Sequence, residues 1–141
     1  MFVKEVQLFK GIPSHIMDEI VKLIVEEEFP GGHVFHKRGD YAESMYILEE
    51  GVVEIVVEGK ERVSIPLDQP GYVFGWSALV EPYRYTATVK CVKDSKVIKL
   101  DGDRLMRLFE QHSAEGLTIM KRLAGVMASR LDTIYQRVSS F

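Results

Sequence analysis

Cysteine is almost absent from this chain: Cys91 is the only one in 141 residues. A single Cys excludes an intrachain disulfide framework and fits a reducing compartment. No apolar run approaches the roughly 20 residues that a membrane-crossing helix needs. Met1-Phe2-Val3-Lys4-Glu5 lacks the layout of a secretory leader. A cytoplasmic protein with no membrane partner is therefore expected. Excess charge is missing as well. Eighteen Lys and Arg against 21 Asp and Glu leave a formal net charge of -3, which gives no electrostatic reason to bind nucleic acid or an anionic surface. There is no internal repeat and no low-complexity tract. No Ser–His–Asp arrangement, P-loop or paired-carboxylate motif is present. No catalytic residue and no cofactor is assigned, and the chain reads as a non-enzyme.

What remains is an ordinary globular composition, 46% hydrophobic and 28% charged, long enough for one domain over residues 1–141 with a core of its own. Ile16, Ile20, Leu23 and Ile24 recur at helical spacing behind Ser14, read as the N-cap. From about Val25 the period changes. Short β-rich segments alternate with Gly, Pro and Asp punctuation, giving strands at about His33–Lys37, Met45–Leu48, Val52–Val57, Arg62–Leu67, Thr86–Val92 and Lys96–Leu100. Many short strands with frequent turns suggest a sandwich, barrel or jelly roll. Glu26-Glu27-Glu28 reads as a solvated or edge-protecting charge run.

After Leu100 the pattern is helical. Asp101 or Asp103 can cap a helix to about Gln111, and a break at His112-Ser113 precedes a long helix, about Ala114 to Val138. Along it Leu117, Met120, Ala124, Met127, Leu131, Ile134 and Val138 alternate at spacings of three and four. That is an a/d seam held for three heptads. Its second half reads as extending beyond what a small barrel can cover, with Arg130, Asp132, Gln136 and Arg137 flanking it. The expected partner is a second copy of the chain, in a homodimer along this seam.

The most informative segment runs from Phe74 to Thr88. Gly75 separates a short strand from a turn or two of helix, whose outward N–H groups favour an anion. Phe74-Gly75-Trp76-Ser77-Ala78-Leu79, a loop, then Thr86-Ala87-Thr88 resembles the phosphate-binding cassette of the cyclic-nucleotide-binding domain family. Gly31, Gly39-Asp40, Gly51 and Gly71 fall where that family turns its β-roll. The resemblance covers roughly Leu8 to Val138. It implies a mainly β fold with flanking helices: a β-roll or jelly-roll barrel over about 25–100, short N-terminal helices, and two C-terminal helices over about 101–138, the last one long. It also implies a regulatory module, without a DNA-binding domain.

Two positions depart from the family pattern. The family places Glu, which accepts the ribose hydroxyl, where this chain has Trp76, and Arg, which pairs with the cyclic phosphate, where it has Tyr85. Arg84 lies one place earlier, and a one-residue slip on a strand faces the other way. It reaches the site only if the Glu81-Pro82-Tyr83 loop places it there. Each charge-assisted contact contributes about 1.5–3 kcal/mol. Losing two weakens binding roughly a hundredfold to ten-thousandfold. Weak or absent binding of ordinary cyclic nucleotides follows.

Gly75, Trp76, Ser77, Ala78, Arg84, Tyr85 and Thr86 are the candidate ligand-binding set, for a cyclic nucleotide or another small anion. A ligand-free interaction module, with Trp76 and Tyr85 filling the old pocket as core, stands beside that reading. A weaker alternative is a metal enzyme of the cupin type, prompted by His33 and His36. Their His-x-x-His spacing inside a strand puts the two rings on opposite faces, so they are expected to be surface histidines that bind no metal.

Overall fold

A computed structural model describes residues 2–138. Helix α1 (Phe2–Glu5) and a 3-10 turn (Gln7–Phe9) lead into α2 (Ser14–Leu23). Eight strands follow: β1 (Ile24–Phe29), β2 (Val34–His36), β3 (Ser44–Glu50), β4 (Val53–Glu58), β5 (Arg62–Leu67), β6 (Val73–Phe74), β7 (Thr88–Cys91) and β8 (Ser95–Asp101). Two helices, α3 (Gly102–Gln111) and α4 (Ser113–Arg137), complete the fold. The strands form two four-stranded antiparallel sheets, ordered β1-β8-β3-β6 and β2-β7-β4-β5.

The expected mainly β roll with flanking helices and a long final helix is therefore what forms. Two local readings need correction. Ser14 is the first residue of α2, not its cap: Pro13 holds the cap position, and no side chain bonds the helix start. Val25 to Phe29, left without a strand in the sequence reading, is β1, an edge strand paired along β8. Its glutamates hid it, because charge depresses strand propensity. Glu28 pairs with Lys96 directly across the ladder at 3.3 Å and Glu27 with Lys99 diagonally at 3.7 Å, so the charge run does sit on a sheet edge.

The core has two large parts. One joins the helices to the outer face of the first sheet through Phe9, Ile16, Ile20, Ile47, Leu100, Leu105, Ile119 and Leu123. The other lies between the sheets, around Leu48, Ile55, Ile65, Phe74, Val89 and Val97. Asp101, the foreseen cap, accepts a bond from the Arg104 N–H at 2.9 Å and starts α3. The α3–α4 corner fixes where α4 points. Gly116 is buried, and a Cβ there would come within 2.7 Å of the Phe109 main chain.

The seam reading also changes. The second half of α4 lies over its own β-roll: Ile134 packs against the core between the sheets, and an Arg137 Nη1–H donates to the Ser64 carbonyl at 2.8 Å. Met120 and Met127 pack against the helical core. Only Leu117, Ala124 and Leu131 of α4's seam residues face solvent, while Val138 is half-buried just past the helix. A 3.5-residue seam drifts about 20° per heptad on a straight helix. The stripe that faces the body is therefore a different one: Ile119, Leu123, Met127, Arg130 and Ile134.

Candidate functional site

Strand β6 ends at Gly75, which is left-handed at φ 78°. A Cβ there would lie 3.1 Å from the Ser44 carbonyl oxygen, so glycine is needed for both conformation and space. The chain then makes the 3-10 turn Trp76–Leu79. A cavity of about 230 Å³ opens beside it. Ile55, Ile65, Phe74 and Val89 line it from the β-roll, Gly75 to Ser77 and Tyr85 to Ala87 from the cassette, and Arg130 and Ile134 from α4.

Five of the seven candidate residues line this cavity: Gly75, Trp76, Ser77, Tyr85 and Thr86. Two do not. Arg84 is exposed, with its guanidinium 5.6 Å from the Tyr41 ring centroid and its backbone bridged to Tyr41. Alternation on an extended segment sends its neighbour Tyr85 inward and Arg84 outward. Ala78 is buried against Ala42 and Tyr85, and its N–H already donates to the Gly75 carbonyl at 3.3 Å. It has no free donor for an anion.

Tyr85 is built into the structure. Its ring stacks on His36 at 3.5 Å and 8°. Its hydroxyl donates to the Ser44 carbonyl at 2.7 Å and accepts the Ser44 N–H at 3.3 Å. Burial raises its pKa above the ordinary tyrosine value, so it stays a neutral phenol.

His36 corrects the expectation of surface histidines: it is only 7% exposed. The stack with Tyr85 and a bend in β2, where register shifts between Val34 and His36, account for this. Burial holds its pKa down at about 4, so the ring is neutral at pH 7. Nδ1–H donates to the Ala87 carbonyl at 3.0 Å, which leaves Nε2 as an acceptor without a partner among the described residues. His33 lies elsewhere, stacked on Phe29 at 3.9 Å. Among the described residues no group of three or more His, Cys, Asp or Glu gathers where a metal could sit, so the cupin-type reading lacks a ligand set.

Arg130 is the residue that the sequence reading misplaced. Its guanidinium lies 4.6 Å from the Trp76 ring centroid, in cation–π range. Its Nη1 is buried with no hydrogen-bond partner among the described residues. Burial lowers its pKa to about 10, so it remains charged at pH 7. The site thus has a cation, supplied by the last helix rather than by the cassette. A signal existed in the sequence: Arg130 interrupts the apolar stripe Leu123, Met127, Ile134 at helical spacing.

The family model for the cyclic nucleotide-binding domain matches residues 26–112. Among curated proteins, the chain is 27% identical over 125 residues to the potassium channel SKOR of Arabidopsis thaliana, covering 86% of this chain and 15% of the channel. It is 31% identical over 107 residues to a cAMP-dependent protein kinase regulatory subunit of Emericella nidulans, covering 76% of this chain and 26% of that subunit. The chain thus spans well under half the length of these relatives. Among solved structures, the regulatory domain of Toxoplasma gondii PKA with cAMP superposes with a TM-score of 0.71 at 25% identity, over 87% of this chain and 48% of that one. A Geobacter metallireducens protein described as cyclic nucleotide-binding gives 0.79 at 29%, over 92% and 95%. With the family's β-roll, its cassette turn at Gly75 and its helical cover all in place, the chain belongs to the cyclic nucleotide-binding domain family.

Proposed function

We propose that this chain is a non-enzymatic regulatory module whose altered cassette binds ordinary cyclic nucleotides weakly, with Arg130 as the charge available to a small anion. The observation that carries the reading is Tyr85. It occupies the position of the family's phosphate-binding Arg and is tied to His36 and Ser44, while Arg84 faces outward. Trp76 supplies an N–H donor where the family has an acceptor. The cavity, at about 230 Å³, also falls below the roughly 300–1,000 Å³ of typical ligand pockets. Coupling would run through α4: a ligand that binds Arg130 differently with α4 seated and lifted shifts that equilibrium.

A second reading, a ligand-free scaffold, draws on the same Tyr85, whose hydroxyl is already satisfied by Ser44. Calorimetric titration with cyclic AMP separates the two. Trp76→Glu with Tyr85→Arg should gain at least tenfold in affinity, about 1.4 kcal/mol. Trp76→Glu alone, which leaves the buried Tyr85 in place, should gain less. Folded variants with no gain would favour the scaffold, and tight wild-type binding would sink the weak-binding reading.

The homodimer remains part of this proposal on a narrower stripe. Leu117 is 57% exposed and Leu131 48%, with Ala124 between them. Leu117→Asp with Leu131→Asp should convert a dimer to a monomer by light scattering, because it places charge where apolar surface would be buried. A monomeric wild type would remove the dimer from the proposal.

A further inference from the structure

A second cavity, of about 680 Å³, also has Arg130 in its wall. It runs between α4 from Arg122 onward, the Gln7–Phe9 turn and the β5–β6 edge of the roll. Its walls have two characters. Leu8, Ile65, Leu67, Val73 and Val126 give an apolar body. Arg122, Arg130 and Arg137 give three guanidinium groups along one side, and no Asp or Glu lies among the described residues that line it.

The three arginines are not equivalent. Arg122 is committed, its Nη1 donating to the carbonyls of Gln7, Leu8 and Lys10, with the Lys10 contact at 2.7 Å. Arg137 donates to the Ser64 carbonyl. Arg130 alone has a buried Nη1 with no hydrogen-bond partner among the described residues. A buried guanidinium without a counter-charge is unfavourable, and a bidentate carboxylate is its best-matched partner. Ser129 and Thr133 add hydroxyls on the same helix. The volume falls within the range of sites for small organic ligands.

We propose that this cavity binds a small organic anion with an apolar body and one carboxylate-like head, the head pairing with Arg130. The proposal does not rest on the reading of the cassette pocket, although both cavities draw on Arg130 and Ile65. Occupants of the two would therefore compete for one guanidinium, and a ligand in either would act on the same half of α4.

Gly125 makes the test clean. It lines the larger cavity but not the smaller, and a Cβ on it meets nothing within 4 Å. The backbone at 125 thus has room for a side chain on this wall, Gly125→Leu places one there, and Leu favours helix more than Gly does. The probe is sodium decanoate below its micelle concentration, followed by calorimetry and by the fluorescence of Trp76. That is the single tryptophan, and it lies under Arg130. Wild type should bind saturably with a change in Trp76 emission. Gly125→Leu, Arg130→Met and the neutral probe decanol should each bind at least tenfold more weakly. Absence of saturable binding to wild type overturns the proposal. So does equal binding of decanol, which would mean an apolar pocket with no anion site. So does undiminished binding by Gly125→Leu, which would place the ligand elsewhere. If Arg130→Met does not fold, Gly125→Leu and decanol decide the matter.

Discussion

The two halves of α4 are held in different ways. The first half sits in an apolar notch. Gly116 fits against the Phe109 main chain, and Ile119 and Leu123 are 1% and 0% exposed. The second half rests on the β-roll through Arg130 over Trp76, a half-buried Ile134 and the Arg137–Ser64 bond. Close-packed apolar contact has few alternative arrangements, whereas an exposed or charged contact is readily exchanged for water or a ligand. One helix is therefore held at its root by close-packed apolar contact and at its tip by polar and cation–π contact, and Arg130 of the tip lines both cavities.

The strongest way to break this contrast is to empty the root. Leu123→Ala should destabilise the domain by about 2–5 kcal/mol, read as a shifted denaturant midpoint with an unchanged slope. A loss under 1 kcal/mol would mean that the root is no better anchored than the tip.

The next effect concerns the floor beneath the tip. His36 has a pKa of about 4 in the fold against 6.5 when unfolded. Its folded value is depressed, so the unfolded chain binds the extra proton between those limits. The stability is fully present above pH 6.5 and is lost as pH falls to 4. The full difference corresponds to roughly 3 kcal/mol. His36→Gln should flatten the stability profile across pH 4 to 6.5, and an unchanged slope would show that this ring is not the buried neutral group described.

The smallest effect sharpens the contrast. Arg137→Ala removes one exposed bond to Ser64 and should lower global stability by about 1 kcal/mol or less. It should instead speed amide exchange over residues 130–137 while leaving 116–123 protected. Equal acceleration of both segments would show that α4 opens as one unit.

Much of the fold was legible because its signals are local. Gly75 announces a left-handed turn, Asp101 a helix start, and the punctuated apolar segments a β-roll. The readings that failed depended on neighbours far along the chain. β1 is a strand because β8 pairs with its backbone along the whole length, from Ile24 to Phe29. His36 is buried because Tyr85, 49 positions later by residue number, lies over it. Arg84 points outward because Tyr85 fits inward.

The sequence by itself carried the family, most of the element order and the two departures from the family's cassette pattern, Trp76 and Tyr85, since these depend on residue identity at fixed spacing. Tertiary structure alone decided that Arg130 meets the cassette. Arg130 lies 54 residues after Trp76, and nothing in local spacing joins them. They meet because the Gly116–Phe109 corner sets the direction of α4, and burial of Ile119, Leu123 and Ile134 then fixes which face of the helix looks down.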